Sequence, residues 1–223
     1  MSLQRSIGLL LIDLQRAFVD GVWRANLPDE EIEPIKKSFE NCANLLGQSG
    51  LRKIPILMTR CPFEGEDFEL HESLVSVVDK NQPYVIKPST SVMHARGFRQ
   101  WVETELLQQG ISTLVIGGCT TTSCVRVSSV KTQKTFGDRG LQVVVDLSLC
   151  GARKRNYVQR CPSCMEVYMD FGDVDSSHNP QCTCGDHGVQ MISPVEKAIQ
   201  CMRDENVEVV EKFRWEPYFV VLN

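Results

Sequence analysis

Apolar positions along the chain follow two periods, and the changes between them mark the elements. Ser6 to Leu14 is an almost unbroken run of isoleucine and leucine, as expected of a strand covered on both faces. From Asp29, Ile32, Ile35, Phe39, Cys42 and Leu46 recur at helical spacing, acids crowd the start and Gly50 offers a cap, which predicts a helix. Ile54 to Thr59 reads as a second strand and Tyr84 to Lys87 as a short extended piece stopped by Pro88. A helix is predicted over Gly97 to Gln109, with Phe98, Trp101, Val102 and Leu106 on its apolar face and Gly110 as its stop. Thr113 to Gly118 is the next strand, followed by a helix from about Thr122 to Phe136. Leu141 to Leu147 is a strand, Pro194 to Asn206 a helix and Val207 to Val210 a last strand. Strands alternating with helices predict a parallel α/β sheet covered on both faces, in a single domain spanning residues 1–223.

Between Leu147 and Pro194 the composition changes. Residues at about 158–190 carry Cys161-Pro-Ser-Cys164 and Cys182-Thr-Cys184, with His178 and His187 nearby, and read as an insertion. The paired thiols suit a tetrahedral ion, so a small zinc-ribbon-like unit with a structural Zn2+ on Cys161, Cys164, Cys182 and Cys184 is expected, His187 being the alternate ligand. Free thiols or disulfides are the competing readings. If present, the metal replaces a missing core and has no catalytic role.

Charge and length narrow the function classes. The net charge of −4 gives no basic footprint for nucleic acid, and Arg153-Lys154-Arg155 is one short run of the kind usually found on a solvated face. No apolar run reaches the ~18–20 residues that span a bilayer. Asp13 interrupts the N-terminal apolar run, which reads as a buried strand, not an export signal. Ten cysteines without a secreted framework point to a cytoplasmic protein with reduced thiols.

Three reactive side chains fall at predicted strand ends: Asp13, Lys87 and Cys124. In a parallel sheet such ends converge on one edge. Each has an ordinary reading, as a turn cap, a solvated lysine and a buried structural thiol. Together they make a nucleophilic site without histidine: the carboxylate takes the thiol proton and the ammonium steadies developing charge. Cys124 at a helix start is expected to have a depressed pKa.

The pattern Asp13-x-Gln15-x-x-Phe18, Lys87 followed by Ser91, and Gly118-x-x-Thr121-x-x-Cys124-Val125 resembles the isochorismatase-like cysteine hydrolases. The resemblance implies a three-layer α/β/α sandwich with Asp13, Lys87 and Cys124 as the triad. It also implies a cis peptide between Cys119 and Thr120, with backbone N–H groups from Thr120 to Cys124 forming an oxyanion hole. Members that cleave a vinyl ether generally lack this cysteine, whereas those that cleave amides through a thioester keep it, so C–N hydrolysis of a small molecule is expected. Nicotinamidases of this family carry an Asp-x-His metal motif after the second strand. Thr59-Arg60-Cys61-Pro62-Phe63 stands there instead, which argues against a metal beside the site and against nicotinamide. His71 is then expected on the surface. Phe18, Trp23, Met93 and Thr120 are candidates for the substrate pocket, and Arg60 or Arg126 for a substrate carboxylate, exposed arginine being the alternative. No organic cofactor is implied, and a homo-oligomer is expected by analogy. Cys119 reads as a small residue packing the turn, or as a resolving thiol for Cys124. The rival function is a retired hydrolase acting as a scaffold, whose zinc unit binds a partner.

Overall fold

The structure, a computed structural model, describes residues 7–24, 27–48, 51, 54–161 and 191–218. Six parallel strands form its sheet: β1 (Ile7–Ile12), β2 (Ile56–Arg60), β3 (Tyr84–Ile86), β4 (Thr113–Cys119), β5 (Gln142–Gly151) and β6 (Glu208–Val210), in the order β3-β2-β1-β4-β5-β6. Each apolar strand feeds both faces. Leu9 and Leu11 of β1 enter a cluster with Val115 and Val144, while Leu10 and Ile12 enter another with Leu114, Ile116 and Val145. This double burial is why these strands read as continuous apolar runs.

Helix α1 (Asp29–Leu46) covers the first face with Ile32, Ile35, Phe39 and Cys42, its acidic first turn matching the helix dipole. It stops at Gly47, whose N–H donates to the Ala43 carbonyl, and not at Gly50, which lies outside the described residues. A short helix, α2 (Glu72–Val75), follows β2.

The opposite face is covered by α3 (Phe98–Trp101), α4 (Arg126–Phe136) and α5 (Pro194–Asp204), through Phe98, Phe136 and Met202. This gives the expected three layers. The helix predicted over 97–109 widens into a π turn at Val102–Leu106 and tightens into a 3₁₀ turn at Leu107–Gln109, yet keeps Phe98, Val102 and Leu106 buried. Helix α5 starts with a reciprocal capping box between Ser193 and Glu196.

Strand β5 runs four residues past its predicted end. A register shift between Ile116 and Gly118 lets it resume pairing, Gly118 with Cys150 and Cys119 with Gly151. Gly118 sits at φ 119°, and a Cβ there would lie 2.1 Å from the Ile12 carbonyl oxygen, so only glycine lets β4 approach β1 this closely.

Arg160 and Ile192 exchange two backbone hydrogen bonds of 2.9 Å and bring together the two ends of the expected insertion. Cys164, Cys182, Cys184 and His187 lie outside the described residues. Cys161 is described and buried, and no cluster that could hold a metal occurs among the described residues.

Candidate active site

The strand order reverses direction between β1 and β4: the chain builds outward from β1 through β2 to β3, then returns to place β4 on the other side of β1. Open α/β sheets bind ligands at the carboxyl ends of the strands beside such a reversal. Asp13 follows β1 directly, in a left-handed conformation (φ 54°) that aspartate tolerates better than most residues. Lys87 follows β3, its N–H donating to the Arg60 carbonyl at 2.8 Å. Cys124 lies in a π turn (Thr121–Val125) between β4 and α4, preceded by the Cys119–Thr120 cis peptide.

The structure brings the three together. Lys87 Nζ stands 2.9 Å from Asp13 Oδ2 and donates to Cys124 Sγ at 3.3 Å and to the Ser89 carbonyl at 2.7 Å. A further sulfur, Cys61 Sγ, lies 3.6 Å from the same ammonium. Asp13 and Lys87 have essentially no solvent access, and Cys124 is 9% exposed. Thr59 holds the carboxylate from the other side: its hydroxyl donates to Asp13 Oδ1 at 2.6 Å, and the Asp13 N–H reaches Thr59 Oγ1 at 3.2 Å.

The electrostatics correct one expectation. The Cys124 thiol is not depressed but pushed up to about 12, first by burial and then by the Asp13 carboxylate, against the lowering effect of Lys87. The helix start cannot compensate, because a buried anion beside an existing anion costs more than half a unit of dipole charge returns. Burial works to lower Lys87, but Asp13 and then the Cys124 and Cys61 sulfurs outweigh it and hold the ammonium above its ordinary value. Chemically, this is a neutral thiol with a base and a fixed cation beside it, able to become a nucleophile only as its proton leaves.

Around this centre the other expectations divide. Phe18 is buried and packs on Trp23 and Phe63 at 5.1 and 5.6 Å between ring centres. Met93 and Cys124 belong to the cluster on the other side of the sheet, and Thr120 is buried at the cis bond. Arg60 is neither exposed nor turned to Asp13, Lys87 or Cys124. Phe68 and Tyr84 flank its guanidinium at 5.0 and 4.5 Å, and Glu69 pairs with it at 3.5 Å. A cavity of about 490 Å³ on that edge, lined by Arg16, Met58, Arg60 and Tyr84, includes none of Asp13, Lys87 and Cys124 in its wall. Arg126 donates from Nε to the Thr122 carbonyl at 2.8 Å, bracing the turn that carries Cys124. His71 is buried, not superficial: it caps α2 through Nδ1 and faces Asp20 at 3.4 Å, and burial lowers its pKa.

Several neighbours of the site had no role assigned from the sequence. Gln15 uses its whole amide on the Cys61 loop, accepting from Cys61 N–H at 2.6 Å and donating to the Cys61 and Phe68 carbonyls at 3.0 Å. Asn156, fully buried beyond β5, donates to Thr122 Oγ1 at 3.3 Å, and Arg153 stacks on Trp23 at 4.3 Å. Thr59 carried a readable signal, since it ends the strand beside Asp13. Gln15 stood in the Asp13-x-Gln15-x-x-Phe18 pattern, but its clamp on Cys61 was not readable from it, and Asn156 carried no signal, because their partners are 46 and 34 residues away.

Solved structures resemble this chain in fold. An octameric hydrolase of unknown specificity from Escherichia coli superposes with a TM-score of 0.57 at 16% identity, over 93% of this chain and 76% of that one. The MAR1 ribonuclease of Caenorhabditis elegans gives 0.58 at 14% identity, over 97% and 82%. N-carbamoylsarcosine amidase from Thermoplasma acidophilum gives 0.50 at 14%, over 67% and 86%. No curated protein sequence matches. The isochorismatase domain matches residues 8–161, which run from the second residue of β1 through β5 and include Asp13, Lys87 and Cys124, and the chain therefore belongs to the isochorismatase family of hydrolases.

Proposed function

We propose that this protein is a cysteine hydrolase that cleaves the C–N bond of a small amide through a thioester on Cys124. The observation that carries the reading is the Lys87 ammonium, buried between Asp13 Oδ2 at 2.9 Å and Cys124 Sγ at 3.3 Å. Burying two opposite charges costs several kcal/mol each before pairing returns part of it, which makes the arrangement expensive for a scaffold. A fold neighbour that is an amidase agrees with C–N chemistry.

The proposed roles are supported by the geometry. Asp13 takes the thiol proton as Cys124 attacks the carbonyl carbon, so charge moves from carboxylate to sulfur while Lys87 faces both. Thr59 keeps the carboxylate oriented throughout. N–H groups of the Thr120–Cys124 turn receive the oxyanion. Asp13 then returns the proton to the leaving nitrogen. Water, deprotonated by the same carboxylate, cleaves the thioester and restores the thiol. Phe18, Trp23 and Met93 are the proposed pocket lining.

Outside the chemistry, the zinc site of Cys161, Cys164, Cys182 and Cys184 is kept as a structural proposal that takes part in no step. A homo-oligomer is proposed alongside it, as the Escherichia coli neighbour is octameric. Among the described residues no helix is long and apolar enough to cross a membrane.

The test is an amide-library screen for released ammonia or amine with wild type and Cys124→Ala. Hydrolysis that disappears in the variant while its circular dichroism is unchanged supports the reading. A folded variant that turns over at the wild-type rate refutes it.

A further inference from the structure

We infer that Cys61 and Cys124 form an oxidisable dithiol: a hydroperoxide oxidant joins them as a disulfide that closes the reaction centre reversibly. The inference rests on the proposed nucleophile, but its test does not require turnover.

Four observations carry it. Both sulfurs contact one ammonium, Cys124 Sγ at 3.3 Å and Cys61 Sγ at 3.6 Å from Lys87 Nζ, so they are neighbours around a single charged group. The thiols share one base, because the Asp13 carboxylate acts on each of them. Cys61 is partly exposed whereas Cys124 is nearly sealed, which places the second thiol on the solvent side of the pair. Finally, Cys61 is fixed there by construction: its N–H and its carbonyl are both clamped by the buried Gln15 amide, at 2.6 and 3.0 Å.

Cys119 is the rival partner. Its thiol is wholly buried and donates to the Asp13 carbonyl at 3.2 Å, away from the ammonium the other two share. The hydrolytic mechanism uses neither Cys61 nor Cys119.

The chemistry uses groups already in place. Both thiols are neutral at rest, raised by burial and by Asp13, so neither reacts quickly with a bulk oxidant. As Asp13 takes the Cys124 proton, the sulfur attacks hydrogen peroxide and the O–O bond breaks. Cys124 becomes a sulfenic acid, and the released hydroxide recovers the proton from Asp13 as water. Asp13 next takes the Cys61 proton, the Cys61 sulfur attacks the Cys124 sulfur and the S–O bond breaks. The second hydroxide leaves as water with that proton. Two thiols and one peroxide give a disulfide and two waters. Closing the bond requires the two sulfurs to move together beside Lys87, and dithiothreitol should reopen it by thiol–disulfide exchange.

The experiment treats full-length protein with hydrogen peroxide, blocks remaining thiols and maps peptides by mass spectrometry, for wild type, Cys61→Ser and Cys61→Ala. In wild type, a Cys61–Cys124 linked peptide is expected, with iodoacetamide labelling of Cys124 lost and then restored by dithiothreitol. In both Cys61 variants Cys124 should proceed to sulfinic and sulfonic acids, and dithiothreitol should not restore labelling. Labelling of untreated variants at the wild-type level establishes that they fold. A linked peptide joining Cys119 to Cys124, or equal recovery in wild type and the variants, overturns the inference. If folded Cys124→Ala turns over amides at the wild-type rate while the linked peptide forms in wild type, the hydrolase reading fails and the dithiol stands.

Discussion

Replacing Lys87 by methionine isolates the ion pair at the centre of this fold. Methionine keeps most of the buried volume and removes only the charge and its donors. What remains is the Asp13 carboxylate, without solvent access, holding the Thr59 hydroxyl at 2.6 Å and no cation. Breaking a buried pair by removing one member costs about 3–5 kcal/mol, mostly the penalty of the stranded charge. For a domain of this size about 1 kcal/mol corresponds to about 2–4 °C, so the melting midpoint should fall by about 6–20 °C. The double variant Asp13→Asn with Lys87→Met strands no charge and should recover a large part of that loss. Thermal unfolding by circular dichroism and urea titration measure both. A midpoint within about 2 °C of wild type, or a double variant no more stable than Lys87→Met, would refute the reasoning. Alkaline titration offers a second check. Because Lys87 is held above its ordinary 10.5, its stabilisation is complete below that pH and fades as pH rises beyond it. The methionine variant should lack this limb.

Three further outcomes are expected. Iodoacetamide labelling of Cys124 should climb about tenfold per pH unit from 9 toward about 12, since the thiol titrates there, and a plateau below 9 would contradict the raised value. Ser193→Ala removes the capping box of α5 and should cost about 1 kcal/mol in urea unfolding. Glu196 is held below its ordinary 4.5 by the Ser193 N–H, so its contribution is present above that pH and lost below it, and the variant that loosens the box should show a flatter acid limb. Emission spectroscopy on purified protein should find zinc in a stoichiometric amount, lost when Cys161 and Cys164 are replaced by serine; protein free of zinc would end the metal proposal.

Much of the fold could be read from pattern. Strands buried on two faces are runs of leucine, isoleucine and valine, and helices buried on one face are periodic, so β1, β4, β5 and α1 declared themselves. Element ends were less legible because tertiary pairing sets them. The shift at Gly118 carries β5 on to Gly151, and a π turn at Thr121–Val125 replaces the regular first turn expected before α4. For the site, residue types at strand ends were enough to nominate Asp13, Lys87 and Cys124.

What the sequence determined alone is therefore a one-dimensional matter: which segments bury which faces, and which reactive residues follow which strands. Only the tertiary structure decided the distances and the dielectric. It placed β4 beside β1, so that side chains 37 residues apart meet at 3.3 Å, and it sealed them from water. That burial turned an expected thiolate into a neutral thiol. It also gave Cys61, to which the sequence assigned no role, a place on the Lys87 ammonium. Periodicity records burial of one segment at a time, whereas a charge responds to every neighbour the fold brings within a few ångströms.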